Sequence, residues 1–410
     1  AGPEVDLYPI NGGLHARVRY VSFNMGVNAN MSGFLCPSAS GTVSANAITV
    51  DVDLLVNVSS PGVVEIMLTN KNATISGLNV SLDGLLGFLV NWLVNLFEGT
   101  IASELESLIV NQLDSFKEVI EGALASLELN TTINFPPLVG TGDSTLVQLE
   151  TSMNSAAFDT LGGALGFVTR VTAEKGVEYE TMGSIGRVSC LGSAPDNFGF
   201  YELHEMEIAL FDDMLNQLLF AVWYGGSLDF SLGEADIGDG APLASFGVTN
   251  LLVDASFMLP PVLTNCTPDD QYRMQVGDIH LHASMVFNGL PLEFDAYVST
   301  SAKVAMSIDN SGASPALQFS VQTLDTADLE VTSVSAGGPA AKFALMELIQ
   351  ATLMPMIFEL LTEGFVTSFP IPAIELDGLA DDLPPGAGFH INGQTVYRNS
   401  GYTVLSGDVE

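Results

Sequence analysis

Positive charge is scarce in this chain: 11 Lys and Arg stand against 48 Asp and Glu over 410 residues, a formal net charge of −37. So few cations leave no basic patch or basic-aromatic stripe to neutralise phosphates, which excludes ordinary nucleic-acid binding. An anionic membrane would also repel such a surface. Cysteine is nearly absent. Cys36, Cys190 and Cys266 admit one of three possible disulfides with one thiol left over, and no Cys-x-x-Cys pair points to zinc or a redox dithiol. Long apolar runs are missing too: Leu85–Phe97 and Ala351–Leu361 are the longest, and both fall short of the roughly 18 residues of a membrane span. Asn91 and Asn95 interrupt the first, so the chain reads as soluble. No basic-then-apolar leader opens at Ala1, which reads as a mature or a shortened chain.

Apolar residues nevertheless make up 47% of the chain, and mean hydropathy is +0.36. Disorder needs low hydrophobicity together with high charge, so the acid belongs on the surface of something well packed. The length is too great for one ordinary core and points to two domains.

From His15 to Leu68 short runs alternate, as in Leu14-His15-Ala16-Arg17-Val18-Arg19-Tyr20-Val21 and Ala47-Ile48-Thr49-Val50-Asp51-Val52-Asp53-Leu54. Period two with one polar face predicts antiparallel strands, with turns at Ser60-Pro61-Gly62 and Asn70-Lys71-Asn72. After Gly84 the period changes. Leu86, Leu89, Leu93, Phe97 and Ile101 begin a stripe that continues at three- to five-residue steps to Leu127, predicting a long apolar helix, or a broken pair bent at Gly99. A sheet curled around it would be needed to cover it. Asn134-Phe135-Pro136-Pro137 follows, and strands resume at 145–150 and 164–172.

The second half repeats this order. Asp212 as N-cap and Gly225 as stop delimit a helix containing Leu218, Leu219, Val222 and Trp223. Strands are expected through Val331, notably Asp278–Val286 and Leu292–Val304. A second long apolar helix is expected from Ala341 to Phe365, with Phe343, Met346, Ile349, Leu353, Ile357 and Leu361 on one face and a kink at Pro355. It exits at Phe369-Pro370-Ile371-Pro372, and a closing strand is expected at Phe389–Tyr397. The expected fold is therefore α+β. It has two barrel-like domains, each an antiparallel curved sheet wrapped around a long apolar helix. The domains are placed at 1–190 and 201–410, with a Gly-rich linker at 191–200.

Residues 85–127 with the Phe135-Pro136 exit, the segment Met206–Leu232 and the end Phe343–Tyr397 together resemble the bactericidal/permeability-increasing and lipopolysaccharide-binding family of the tubular lipid-binding superfamily. The resemblance implies an elongated boomerang of two barrels with an apolar pocket for acyl chains in each. It also implies an extracytoplasmic protein, whether secreted, periplasmic or surface-anchored, in transient contact with membranes. Antibacterial members carry a basic tip that grips lipid A phosphates. Residues 1–80 supply none here, so charge-driven endotoxin binding is not expected.

Signs of catalysis are lacking. Met182-Gly183-Ser184-Ile185-Gly186 misses the first glycine of a nucleophile elbow, and the histidines are scattered. His280 and His282 share a strand face with Asp278 nearby, but a metal site needs three or four converging ligands, so a polar outer face is the preferred reading. His204-Glu205-Met206-Glu207 lacks a zincin's second His. Asp236-Ile237-Gly238-Asp239-Gly240 and Asp377-Gly378 lack the oxygen donors of a calcium loop and read as turns. Six Asn-x-Ser/Thr sequons, at Asn30, Asn57, Asn72, Asn79, Asn130 and Asn265, act only in a eukaryotic secretory setting.

The helical stripes remain as the candidate site, because they are apolar around most of their circumference. The expected lipid contacts are Leu86, Leu89, Leu93, Phe97, Ile101, Leu219, Trp223, Phe343, Met346, Ile349, Leu353, Ile357 and Leu361. Flexible Met285, Met346, Met354 and Met356 suit varied chains. The expectation is a non-catalytic protein with no cofactor and no metal that holds a phospholipid or other acyl lipid. The alternative is an acidic surface or adhesion module that binds a protein or calcium, its helices serving only as core.

Overall fold

In the computed structural model the period-two alternation becomes long antiparallel strands. The structure describes residues 4–29, 39–82, 102–114, 116–125, 127–138, 144–176, 206–234, 236, 247–264, 272–309, 316–335, 338–355, 367–370, 374–375, 388–389, 391–399 and 402–409. Two compact units are present. The first holds Ala1–Glu128, Ser152–Val168 and Gly378–Leu383, and the second holds Leu129–Thr151, Thr169–Asp377 and Pro384–Glu410. The linker expected at 191–200 lies outside the described residues.

In the first unit β1 (Glu4–Ile10), β2 (Gly13–Ala29), β3 (Ala39–Ser60) and β4 (Val63–Ser76) pair in that order, and β5 (Asn79–Leu82) pairs with β3. The turn expected at Pro61-Gly62 joins β3 to β4. Proline presets its own φ, and Gly62 takes φ +77°, a value costly for any side chain. Asn70-Lys71-Asn72, in contrast, is not a turn. Asp51 pairs with Asn72 and Asp53 with Thr69, so Asn70 and Lys71 together oppose Val52 in a β-bulge, with Asn70 at φ 50°. Asparagine tolerates that left-handed backbone, so the same signal serves a bulge as well as a turn.

Two helices follow, α1 (102–113) and α2 (Phe116–Ala125). Glu106 Oε1 accepts the backbone N–H of Ile75, and Glu121 Oε1 that of Ile66, each at 2.9 Å. Because β4 ends its sheet path, these carboxylates satisfy edge donors that would otherwise template pairing with another chain.

The chain passes between the units within β7 (Thr145–Phe158) and β8 (Gly163–Ala173), which form a three-stranded sheet with β6 (Asn130–Phe135). Phe135-Pro136 marks the end of β6, where proline removes a ladder donor. β9 (Met206–Phe211) then leads into α3 (Asp212–Tyr224). Gly226, at φ +86°, donates its N–H to Trp223 O and closes that helix.

The main sheet of the second unit contains β10 (Phe230–Gly233), β11 (Val248–Phe257), β12 (Val262–Thr264), β13 (Tyr272–Phe287), β14 (Leu290–Asp309), β15 (Ala316–Val334) and β16 (Thr367–Pro370). Its order is β10-β11-β13-β14-β15-β16, with β12 on β13. Asn288 and Gly289, at φ 49° and 83°, form the two-residue turn between β13 and β14, whose twist matches that of the flanking strands. α4 (Gly338–Leu348) precedes β16. β17 (Ile374–Glu375) pairs with β18 (Gly388–Phe389), while β19 (Ile391–Asn399) and β20 (Tyr402–Val409) join β9 in the order β19-β20-β9. The strands expected at Asp278–Val286 and Leu292–Val304 thus lie inside β13 and β14.

One face of the main sheet is continuous core. Tyr272, Met274, Val276, Ile279, Leu281 and Met285 of β13 are buried, as are Leu292, Phe294, Ala296 and Val298 of β14. Leu215, Leu218 and Trp223 of α3 belong to the same cluster, with Leu345 of α4 and Ile349. The Trp223 indole N–H, which cannot be buried without a partner, donates to Phe257 O at 2.5 Å.

The expected pair of barrels, each wrapped on a long apolar helix, is not the fold. Among the described residues the protein is mostly β, with short helices and a sheet curled as a half-barrel. Residues 83–101 of the first expected helix lie outside the described set, and the remainder breaks at Asp114 into α1 and α2. Of the second expected helix, the described part runs regularly to Leu348 and then widens into a π turn, Ile349–Leu353, while 356–365 lie outside the described residues. Pro355 lies just beyond. Its ring cannot donate a hydrogen bond and crowds the carbonyl four residues back, so the preceding turn opens. Long strands, 16 residues in β13 and 20 in β14, gather apolar side chains on one face by alternation, and the short α3 and α4 help to cover it. No helix among the described residues is long and apolar enough to cross a membrane.

Asp212 is not the N-cap of α3. That position is Phe211, which makes no side-chain capping bond. The buried Asp212 carboxylate is instead gripped by Arg398 of β19, at 2.9 and 2.6 Å, and accepts the Tyr272 hydroxyl. Tyr272 Oη also lies 2.7 Å from Thr403 Oγ1, and the Arg398 guanidinium sits 3.6 Å above the Tyr272 ring. Burial, reinforced by the Asp212 charge, raises the Tyr272 pKa and holds the phenol neutral. Arg398→Met leaves a buried carboxylate without its counter-ion and is expected to cost about 3–5 kcal/mol, whereas Asp212→Leu combined with Arg398→Met recovers most of that loss. Urea unfolding of the three proteins checks both outcomes.

Candidate apolar binding faces

Residues directly opposite one another across antiparallel strands share a face. On one face of the first unit's sheet the register aligns Pro9, Leu14, Leu54 and Leu68 in one row, Val18, Val50 and Ala73 in a second, and Tyr20, Ile48 and Ile75 in a third. The row Leu7, Ala16 and Val52 belongs to the same face. Ala73 and Val52 are buried. Leu14, Val18, Ile48, Val50, Leu54, Leu68 and Ile75 are only half-buried, and Leu7 and Tyr20 are 56% and 46% exposed. The helices α1 and α2 set their glutamates on the β4 edge, and Ile66, opposite Val56 on this face, is buried there, so the exposed side chains lie towards β1 and β2.

The opposite face carries the charged side chains, alongside the exposed Tyr8, Val21 and Met67. His15 Nδ1 lies 2.6 Å from Asp53 Oδ1 and its ring stacks on Tyr8. Arg17 Nε donates to Asp51 at 2.6 Å, and Arg19 pairs with Glu4 at 3.2 Å. Hydrogen bonds from Asn70 and then His15 lower the Asp53 pKa. The second unit repeats the pattern on the outer face of its main sheet. Ser231, Asp254, His282, Asp295 and Ser333 stand opposite one another across five strands. His282 Nδ1 lies 2.9 Å from Asp295 Oδ1, and Ser333 Oγ donates to Asp295 Oδ2 at 2.6 Å. His280 Nε2 approaches the same carboxylate at 3.3 Å. Asp278 does not join them: it sits in a β-bulge at φ 49°. Among the described residues no group of three or more His, Cys, Asp or Glu is arranged to hold a metal ion. His204 and His390 lie outside the described residues.

Of the expected lipid contacts, Trp223 and Ile349 are core residues of the second unit, and Leu219 and Met346 pack against that core. Phe343 is 71% exposed on α4. Leu353 lies in the π turn. Leu86, Leu89, Leu93, Phe97, Ile101, Ile357 and Leu361 lie outside the described residues. The half-buried face of the first unit escapes a helix-centred reading. Its signal is the alternation of Leu14, Ala16, Val18 and Tyr20 with His15, Arg17 and Arg19, which marks a sheet with one apolar face.

The fold defines a two-unit, mostly β protein in which each unit holds a long sheet divided into an apolar and a charged face. No family model matches the chain, and no curated protein matches it. Among solved structures, a lipopolysaccharide binding protein aligns over 100% of this chain and 86% of its own, at 16% identity and a TM-score of 0.45. The P47 protein of Clostridium botulinum E1 aligns over 99% and 88%, at 9% identity and a TM-score of 0.29. P47 from Clostridium botulinum A2 aligns over 99% and 87%, at 11% and 0.28.

The His282 ladder makes stability depend on pH. The hydrogen bond to Asp295 raises the His282 pKa, and bonds from Ser333 and then His282 lower that of Asp295. The raised histidine stabilises the fold below its unfolded pKa, and that contribution fades as pH rises through the folded value; the lowered carboxylate contributes above its own unfolded value. His282→Gln is therefore expected to lower Tm more near pH 5.5 than near pH 8.5. Thermal melts of both proteins at the two pH values check this, and an equal loss at both would contradict it.

Proposed function

We propose that this protein is a non-catalytic lipid-binding or lipid-transfer protein that holds the acyl chains of a phospholipid or similar lipid, and that it works outside the cytoplasm. The carrying observation is the first unit's apolar face, where a row of large side chains is organised by strand register yet left half-buried, with Leu7 and Tyr20 exposed. Soluble proteins seldom leave a contiguous apolar surface in water unless something binds it. The contrast with the second unit supports this reading. There the equivalent alternation on β13 and β14 is closed by α3 and residues of α4 into a dry core.

An acyl chain is the ligand that best suits such a face. It is long, flexible and apolar, and each buried methylene contributes about 0.8 kcal/mol, so even a dozen carbons bind firmly with no charged clamp. The similarity to a structure called lipopolysaccharide binding protein agrees in kind, but the reading rests on the face.

Protein purified without detergent is expected to release stoichiometric lipid into organic solvent, read by mass spectrometry. Leu7→Asp and Tyr20→Asp replace exposed side chains, so stability should change by no more than about 0.5 kcal/mol. Uptake of a fluorescent fatty acid or phospholipid should weaken by roughly ten- to a hundredfold for each, because each loses about 1.5–3 kcal/mol of burial against the ligand. Undiminished uptake in both variants, or a lipid-free extract together with no uptake by the parent protein, would sink the proposal.

A further inference from the structure

Building on the lipid-binding reading, we propose that the bound lipid carries no net negative charge, so that the protein selects uncharged or zwitterionic lipids over anionic ones. A protein that grips an anionic headgroup needs cations left over from its own packing, placed at the mouth of its apolar site. Here the cations of the first unit's sheet and helices are engaged within the fold. Arg17 pairs with Asp51, Arg19 with Glu4, Lys71 with Asp114, and Lys117 with Glu121. In the second unit Arg398 is buried against Asp212, Lys175, Arg273 and Lys303 have partners of their own, and Arg170 and Lys342 are exposed, in that unit and not on the first unit's apolar face.

The two arginines nearest the first unit's apolar face show the geometry. Arg17 and Arg19 lie on β2, in the same strand as Leu14, Val18 and Tyr20. Alternation turns them to the opposite face, where each meets a carboxylate. The outer strand β1 turns Glu4 and Asp6 to that same charged face, opposite Arg19 and Arg17, while Leu7 belongs to the apolar rows. A phosphate or carboxylate seated on the apolar side would therefore find no cation of β1 or β2 to meet it, in a chain whose formal charge is −37. A diacylglycerol-like head carries no charge to repel. A phosphocholine head presents its ammonium outermost, towards the acidic surface, and keeps its phosphate balanced.

The test uses the full chain and vesicles of equal parts phosphatidylcholine and phosphatidylglycerol with matched acyl chains. After incubation and re-isolation of the protein, mass spectrometry gives the ratio of the two lipids it has taken. At low ionic strength the ratio is expected to favour phosphatidylcholine by roughly tenfold, corresponding to about 1.4 kcal/mol, and to fall towards one as salt screens the surface charge. Lipid taken in the proportions of the vesicle, or enriched in phosphatidylglycerol, at low salt would overturn the charge selection while leaving lipid binding intact. A protein that takes neither lipid, from these vesicles or from pure phosphatidylcholine, would overturn the lipid-binding reading itself.

Discussion

Side chains on a β-strand point alternately to opposite faces, and in strands of 14 to 22 residues that rule governs most of this molecule. A register shift of one residue would turn Val18, Val50 and Ala73 out and Arg17, Asp51 and Asn72 in. The cost of burying that charged row makes the observed register strongly preferred. Bulges and tight turns then adjust the ladder without breaking it. The bulge at Asn70 and the Asn288-Gly289 hairpin are the clearest instances.

The same partition makes the two units different. In the second, α3, parts of α4 and neighbouring strands close over the apolar face, and the Asp212–Arg398 pair ties β19 to the start of α3. In the first, the glutamates of α1 and α2 are used along the strand edge, and the apolar rows of β1 to β4 remain half-buried. The charged side chains of β1 to β3 are thereby kept to one side of the sheet. A ligand that meets the apolar side meets methylenes and an aromatic ring, while the arginines of β2 are held by carboxylates on the other side.

Part of this architecture is legible in the amino-acid sequence alone. The strands from Leu14 to Leu68 and the paired strands around Asn288 follow from period two and turn residues, and the end of α3 follows from Gly225-Gly226. Other features are legible only in part. Pro355 signals a disturbance, but a π turn at Ile349–Leu353 depends on how the helix opens ahead of the ring. Asp212 before an apolar run looks like a cap, because local sequence does not reveal that an arginine 186 residues away claims its carboxylate. Apolar stripes draw attention to helices as the ligand site, since periodicity identifies an apolar face without saying what covers it. Trp223 and Ile349 are covered, whereas Leu7 and Tyr20, on an edge strand and its neighbour, are not.

Sequence by itself determined the alternation, the acidity of the chain, the scarcity of cations and the turn at Pro61-Gly62, because each depends on residue type or on neighbours only a few positions away. Tertiary structure decided which apolar faces would be sealed, which glutamates would guard a strand edge, and that Asp212, Tyr272, Arg398 and Thr403 would meet in one buried cluster. Those outcomes depend on contacts between residues far apart in the chain, whose energies exist only once the sheets have taken up their register.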